Sequence, residues 1–466
     1  MIYTHLFDRT TQSDPVRAGV IGTGQYATAI VTQAQHMSRL SVPVVADADP
    51  AAAREAYRRA GVADDDVVVC ESRAAAVRAL ERGKRAVLAD AMDMMDLPLD
   101  VIVESTGSAE AGARHAHAAI DHGKHVAMVN KEADATVGPI LKHLADRAGV
   151  VYTQVDGDQH GLLIGLVLWA RELGLEVVCG GKARDVGVQW DPAARGVLRG
   201  DGATDVTDPE AFDVIGSGDV ADALDRRRSA LGTLADIGSF DVEELAIAAN
   251  ATGLLPDVER LHAPVVRTSE IPDALCPVED GGILARRGVV DMVTCLRSPG
   301  DPGLGGGVFV VVGCANDYSR HILLDKGLVP NRAGTAGLIY RPYHLCGVET
   351  PMSILCAALL GVPTGAHEYA PRVDVVVEAA ADLAAGDVEA ALGAGSRISH
   401  SRKLRALMEP ARPVREGAPL PLEMLPEAEL VTNVPAGTVI TADMVRPTRD
   451  STLWSLRARQ DAHFLS

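Results

Sequence analysis

An α/β protein with a doubly wound parallel sheet in its N-terminal part is the fold class this sequence predicts, and three observations predict it. Short Val/Ile/Ala runs alternate with Ala-rich helical stretches through the first 150 residues. The runs are almost continuously apolar, as strands are when both sheet faces are covered. A glycine turn, Gly22-Thr-Gly24, stands where the first run meets the first helical stretch. An α+β catalytic and dimerisation unit and a small β-rich C-terminal unit complete the expected architecture.

Each element follows from local pattern. RAGVIGTG reads as a strand ending in the glycine turn, and QYATAIVTQAQHM as the helix after it. SVPVVADAD is a second strand, followed by a helix that Pro50 opens. DVVVCES, a helix over roughly residues 73 to 83, DVIVESTG, a helix from Ala109 to Gly123 and HVAMVN continue the rhythm. From Val151 it changes: YTQVDGDQHG is polar and turn-like, LLIGLVLWARELG a helix and LEVVCGG a strand. Residues 191 to 235 are rich in Asp, Gly and Arg, as an active-site loop or excursion would be. FDVEELAIAANATG is a helix, GGGVFVVVG and AGLIYRPYHLC are strands, and TPMSILCAALLG is a helix bounded by Pro351 and Gly361. Near residue 410 a Pro-rich linker leads to LVTNVPAGTVITADMV, short strands with turns. The expected division is 15–150 for the doubly wound unit, 151–345 for the second unit, 346–408 for helices returning to the first, and 409–466 for the β-rich end.

Composition narrows the partners. The 466 residues carry 44 basic and 63 acidic side chains, a formal net charge of -19. Such a surface repels nucleic acid and anionic lipid, which leaves a small molecule as the expected partner. No apolar run is long enough to cross a bilayer. The first residues lack the apolar core of a secretory signal, and the seven cysteines are scattered with no C-x-x-C pair. A reducing cytoplasm is the expected compartment.

The glycine turn extends to Gly22-Thr23-Gly24-Gln25-Tyr26-Ala27, the G-x-G-x-x-A form of a Rossmann dinucleotide fingerprint. Gly22 allows the tight turn, Gly24 lets a diphosphate approach the backbone, and Ala27 allows close helix packing. The diphosphate would rest on N–H groups at the helix start. Asp47 ends the second strand where a ribose-binding acid belongs. Its charge favours NAD over NADP, although Arg54 nearby could soften the preference.

Glu104-Ser105-Thr106-Gly107 and His125-Val-Ala-Met-Val-Asn130-Lys131 close the first unit in a way that resembles the homoserine dehydrogenase family. GDQHG (157–161), CGGK (179–182), ANATG (249–253) and YRPYHLCGVETP (340–351) narrow the resemblance to the group carrying a C-terminal SAF domain, which includes DXP reductoisomerase-like enzymes. Val434-Pro-Ala-Gly-Thr-Val-Ile440 is similar to the core of that SAF β-clip. The resemblance implies cofactor contacts from Ser105, Thr106, Gly107 and Asn130 beside those of the fingerprint, and proton relay at a carbonyl by Lys131. It implies an active-site role for Asp158, while Asn250, Arg341 and Glu349 are the expected substrate contacts. The homoserine contacts themselves do not carry over, because YRPYHLCGVETP replaces the family's glycine-rich motif. The carboxylate metal site of ordinary DXP reductoisomerase has no assignable counterpart, so no metal ligands are named and the metal requirement stays open.

Lysine is rare here, so Lys131 and Lys182 stand out as ammonium groups able to polarise a carbonyl and stabilise an alkoxide. His344 suits acid–base work near neutral pH, and the Arg341 fork suits a phosphate or carboxylate. Glu349 alternatively helps start the returning helix. His115, His117, His122 and His125 read as solvated, without a metal. Arg226-Arg227-Arg228 reads as a solvated face, or as a run that meets a phosphate. The expectation is an NAD- or NADP-dependent oxidoreductase that reduces a small polar carbonyl compound, with or without a phosphate, DXP reductoisomerase-like activity being its sharpest version, acting as a homodimer or homotetramer. A dehydrogenase of a hydroxy acid or homoserine-like alcohol is the alternative in the same class. A non-catalytic dinucleotide sensor, with both lysines in bulk solvent, is the alternative in another.

Overall fold

A computed structural model of the chain describes residues 2–12, 14–199, 202–216, 218–232, 242–314, 316–386 and 401–466. The N-terminal unit is a seven-stranded parallel sheet. Its strands are β1 (Val16–Ile21), β2 (Leu40–Ala46), β3 (Val67–Cys70), β4 (Arg85–Leu88), β5 (Val101–Glu104), β6 (His125–Met128) and β7 (Tyr152–Gln154). They lie in the order β3-β4-β2-β1-β5-β6-β7. Helices cross between them, four of them started by a side-chain cap: Asp49 accepts from the Ala51 N–H, Ser72 from Ala75, Ser108 from Ala111 and Asn130 from Ala133. From β1 the chain goes to β2 on one side and reaches β5 on the other, so a crevice opens at the carboxyl ends of β1 and β5.

The expected α/β class is what forms, with two strands that the pattern did not reveal. β4 is a four-residue run directly after a basic stretch, and β7 has three residues, two of them polar. β7 carries the first unit to Gln154, where a polar turn was expected. The helix Lys131–Ala148, also not anticipated, covers β6 and β7.

The second unit is a mixed sheet. It contains β8 (Glu176–Ala183), β9 (Val188–Asp191), β10 (Gly196–Arg199), β11 (Gly202–Asp205), β12 (Leu255–Pro256), β13 (Val265–Val266), β14 (Val289–Arg297), β15 (Val308–Gly313), β16 (Val329–Pro330) and β17 (Ala336–Arg341). β8 is central, parallel to β14 and antiparallel to β15. Helices Gln159–Glu172 and Val242–Thr252 cover one face. The stretch read as a loop is largely ordered as β9 to β11 and the helix Val220–Leu231; its positions 200, 201, 217 and 233–235 lie outside the described residues. So do 240 and 241, at the start of the expected FDVEELAIAANATG helix. The arginine run is not one solvated face. Arg227 is fully buried, pairing with Glu270 and donating to the carbonyls of Ala211, Asp213 and Val265. A guanidinium spends five donors that way only as a structural staple.

The expected boundary between residues 408 and 409 falls inside a strand. β18 (Val373–Ala379) pairs antiparallel with β19 (Leu404–Pro410), and bridges join Val376 to Pro421, Glu378 to Val439 and Leu383 to Val434. The β-rich unit therefore starts near Val373, and helix in the 346–408 stretch is confined, among the described residues, to Thr350–Leu360. β20 (Ala428–Leu430) and β21 (Val445–Pro447) complete it. Among the described residues no helix is long and apolar enough to cross a membrane.

An unanticipated last helix, Thr452–Phe464, lies along Lys131–Ala148. Pro139 sits inside the latter helix and its ring breaks the hydrogen-bond ladder. The Gln460 amide fills the gap: Oε1 accepts from Ile140 N–H (3.2 Å) and Nε2 donates to the Thr136 carbonyl (3.0 Å). Gln460→Ala should therefore cost about 1–3 kcal/mol in urea unfolding, the loss expected for buried polar groups left unpaired. In a Pro139→Ala background, where the ladder can close, that cost should largely vanish. Equal costs in both backgrounds would remove the bridging role.

Candidate active site

The crevice at the β1 and β5 ends is a cleft of about 400 Å³ lined by Gly22, Thr23, Gly24, Asp47, Ser105 and Thr106, among others. Gly22 has φ +86° and donates to the Ala46 carbonyl; a Cβ there would sit 2.8 Å from the Ser105 carbonyl oxygen. No side chain at this turn can be tolerated. Gly24 caps the helix Gln25–Ala34 without a side-chain cap, and a Cβ built on it meets nothing within 4 Å. First-turn N–H groups thus face open space, which fits a diphosphate. Thr23 donates to Asp47 Oδ2, and Asp47 Oδ1 accepts from the Asp49 N–H (2.9 Å), which aims the carboxylate at the β2 end. These residues fit a dinucleotide. Arg54, near in sequence, pairs with Asp64 at 3.6 Å on the surface.

Other expected cofactor contacts serve the scaffold. Ser105 donates through both its amide and its hydroxyl to the Ile21 carbonyl (2.9 and 2.7 Å), locking β5 to β1. Tyr26 turns its hydroxyl away, to Thr350 Oγ1 (2.8 Å) and the Asp156 carbonyl (3.4 Å). Burial, with the Asp158 charge, holds that phenol well above its usual pKa. Ala27 is buried packing. The Asn130 side chain is consumed internally: Nδ2 donates to Thr106 Oγ1 (3.1 Å) and the Ser108 carbonyl (2.8 Å), and Oδ1 accepts from Ala133. For Tyr26 and Asn130 the expectation of a side-chain cofactor contact is corrected. Gln25 starts the helix and Gly107 has φ +70° in the turn after β5.

At the junction of the two units Lys131 and Lys182 converge on one carboxylate. Lys131 Nζ lies 2.7 Å from Glu244 Oε1, and Lys182 Nζ pairs with Glu244 Oε2. Lys131 is the first residue of its helix, and Lys182 the next-to-last of β8. Burial pushes the Glu244 carboxyl up, but the two ammonium groups outweigh it and hold it below its usual pKa. Asp158 caps the helix Gln159–Glu172 by accepting from the Gln159 N–H (2.8 Å). His160, fully buried, has Nδ1 3.7 Å from Asp158 Oδ1. Neither Glu244 nor His160 was singled out from the sequence.

His344 Nδ1 bonds the Gly306 carbonyl (2.6 Å). A hydrogen bond with Cys346 outweighs burial and, with that carbonyl and the Asp158 charge, pushes the imidazole up to about 9. Arg341 pairs with Glu349 and lies 5.3 Å from the Tyr343 ring centre. Asp156 is pushed up to about 6 by burial and by Glu349, with Arg341 opposing. Asn250, expected as a substrate contact, has its amide engaged inside the scaffold. It is buried, Oδ1 accepting from Arg372 N–H (2.7 Å) and Val373 N–H (2.9 Å) and Nδ2 donating to the Val373 carbonyl (3.1 Å), which ties β18 to the helix. The histidine quartet is not uniformly solvated either. His115 lines the crevice, and His125 Nδ1 accepts from Val151 N–H (2.9 Å), burial lowering its pKa. Among the described residues no three His, Cys, Asp or Glu side chains form a group that could hold a metal ion.

Residues 18–153 match the family model of the homoserine dehydrogenase NAD-binding domain, and residues 157–350 that of the oxidoreductase DRL catalytic domain. The chain therefore joins a stretch that matches an NAD-binding domain to one that matches an oxidoreductase catalytic domain. Among solved structures it is similar to 1-deoxy-D-xylulose 5-phosphate reductoisomerase from Zymomonas mobilis in complex with NADPH, at 18% identity over 50% of this chain and 57% of that one, TM-score 0.29. Synechocystis biliverdin reductase matches at 20% identity over 38% and 49%, TM-score 0.26. The WlbA dehydrogenase from Bordetella pertussis matches at 20% over 39% and 48%, TM-score 0.27. The chain spans about half the length of these solved chains. A search of the curated proteins found no match.

Two outcomes follow from this geometry. Asp47→Ser removes the carboxylate from the ribose position and should raise affinity for NADP relative to NAD in paired titrations; an unchanged ratio would take Asp47 out of this role. Asp156, whose folded pKa of about 6 lies above the usual aspartate value, costs stability once ionised. That cost is absent below about pH 4, grows as pH rises to about 6 and is constant above. Asp156→Asn should therefore melt higher than the wild type at pH 8, and the two should converge toward pH 4. A gap that does not depend on pH would contradict this.

Proposed function

We propose that the chain passes hydride between a nicotinamide dinucleotide and a small polar carbonyl compound carrying a phosphate, in a reductive isomerisation of the DXP reductoisomerase type. The observation that carries the reading is the convergence of Lys131 and Lys182, from two different units, on Glu244 at the junction of those units. Nicotinamide, when bound, supplies the hydride. Lys131 follows Asn130, whose amide bonds the crevice residue Thr106, so the first residue of its helix is tied through its neighbour to the crevice wall. Its side chain is 17% exposed and that of Lys182 is 1% exposed. Lys131 is therefore the residue a substrate can reach, and it donates a hydrogen bond and then a proton to the oxygen that becomes alkoxide. Lys182 acts through Glu244, which fixes both ammonium groups. The Arg341 fork and His344, three residues on, suit the phosphate. A sensor with no chemistry would leave both lysines in bulk solvent, and neither is there. The C-terminal β-rich unit is read as an SAF-like clip with a bracing role.

Lys131→Ala should slow single-turnover hydride transfer by about 10² to 10³ while dinucleotide binding persists. Lys131→Arg should rescue poorly, because guanidinium keeps its proton near neutral pH. Wild-type single-turnover rates in Lys131→Ala would refute the assignment. Substrate class is tested by following cofactor absorbance against phosphorylated ketoses, hydroxy acids and homoserine-like alcohols.

A further inference from the structure

A second histidine–carboxylate pair lies in the wall of the dinucleotide crevice. Glu104, the last residue of β5, is completely buried. Its Oε1 accepts from the Thr106 N–H and stands 3.3 Å from His115 Nδ1, while Oε2 has no hydrogen-bond partner among the described residues. Among those residues His115 is its one ion-pairing neighbour. A carboxylate so placed is expensive for the fold and returns little packing. What it does achieve is orientation. A carboxylate only accepts, so Nδ1 must carry the hydrogen, and in the neutral ring Nε2 is left as an acceptor. Nε2 makes no hydrogen bond to any described residue.

His115 and Ala111, one turn apart on the helix Ala109–Asp121, line the crevice together with Ala48, Ala89 and Ala91. With Asp90 between two of them, these four alanines give the crevice a small-residue wall on which a flat ring can lie. We propose that the Glu104–His115 pair is a specificity device: Glu104 fixes the imidazole so that Nε2 accepts a hydrogen bond from the exocyclic amino group of the adenine base. The inference rests on the chain binding NAD(P), and it assigns to His115 a role the fingerprint does not contain.

The test compares NADH with reduced nicotinamide hypoxanthine dinucleotide, in which a carbonyl oxygen replaces the amino group, by fluorescence titration of the full chain. The wild type should bind NADH about three- to tenfold more tightly, the worth of one hydrogen bond with its partner otherwise unpaired. His115→Ala should bind the two alike, losing affinity for NADH and hardly any for the analogue. Glu104→Gln, which can donate to the ring and turn Nε2 into a donor, should shrink or invert the preference. A wild-type ratio near one, or a preference that survives in His115→Ala, overturns the inference while dinucleotide binding stands. Failure of the wild type to bind either compound overturns both.

Discussion

One buried carboxylate between two ammonium groups sets the geometry of the junction. Glu244, Lys131 and Lys182 come from the helix Val242–Thr252, the start of the helix Lys131–Ala148 and the end of β8. Removing charges from water costs several kcal/mol per ion, and only close mutual pairing offsets it. Sliding either unit against the other would strip a partner from Glu244, so the cluster fixes the relative position of the nucleotide-binding and catalytic domains. It does so at some local cost. Lysine at the first position of a helix opposes the helix dipole. Glu132 and Asp134 in the same turn compensate it, while Glu244 in the first turn of its own helix is favoured.

The helix that begins with Lys131 is held along its whole length. Asp134, its carboxyl raised by burial, accepts from the Tyr152 hydroxyl (2.7 Å) and the Gln154 amide (3.3 Å) of β7, and the Tyr369 hydroxyl donates to its carbonyl (3.2 Å). Farther along, Gln460 closes the gap at Pro139. The last helix is itself anchored: Glu110 accepts from the Thr452 and Leu453 N–H groups, and Arg457 is buried against Asp374 and Asp461. A proline that weakens the helix on its own becomes the place where the C-terminal unit grips it.

What could be read from the sequence was what is contiguous in it. The glycine turn, the strand before it, the helix after it and Asp47 at the next strand end lie within one short stretch, and each is fixed by local backbone demands. Glu244 looked like an ordinary acid at a helix start, because that is a position the dipole favours. Its role depends on partners 113 and 62 residues away. His115 looked like one of four surface histidines until Glu104, 11 residues earlier, was folded beneath it. The boundary near 409 failed because proline at a strand end resembles a linker, and Pro410 closes β19 while having no N–H to give. A lysine at a helix start directly after its cap breaks a local rule, as sites under functional constraint tend to do, but it showed only once the helix Lys131–Ala148 was seen.

Thr106 joins the two halves of the site. Its residue lines the crevice, and its hydroxyl accepts from the Asn130 amide, which in turn caps the helix that Lys131 opens. The linkage has little slack, since a Cβ on Gly112 would lie 2.5 Å from Asn130 Nδ2 and 2.8 Å from Ala133 Cβ. A ligand that shifts the β5 turn therefore cannot leave the Asn130 cap untouched, and a displaced cap moves the first residue of its helix. Lys131 is that residue. One hydrogen-bonded side chain thus links the crevice wall to the helix start that carries Lys131, and Glu244 holds the ammonium from the far side.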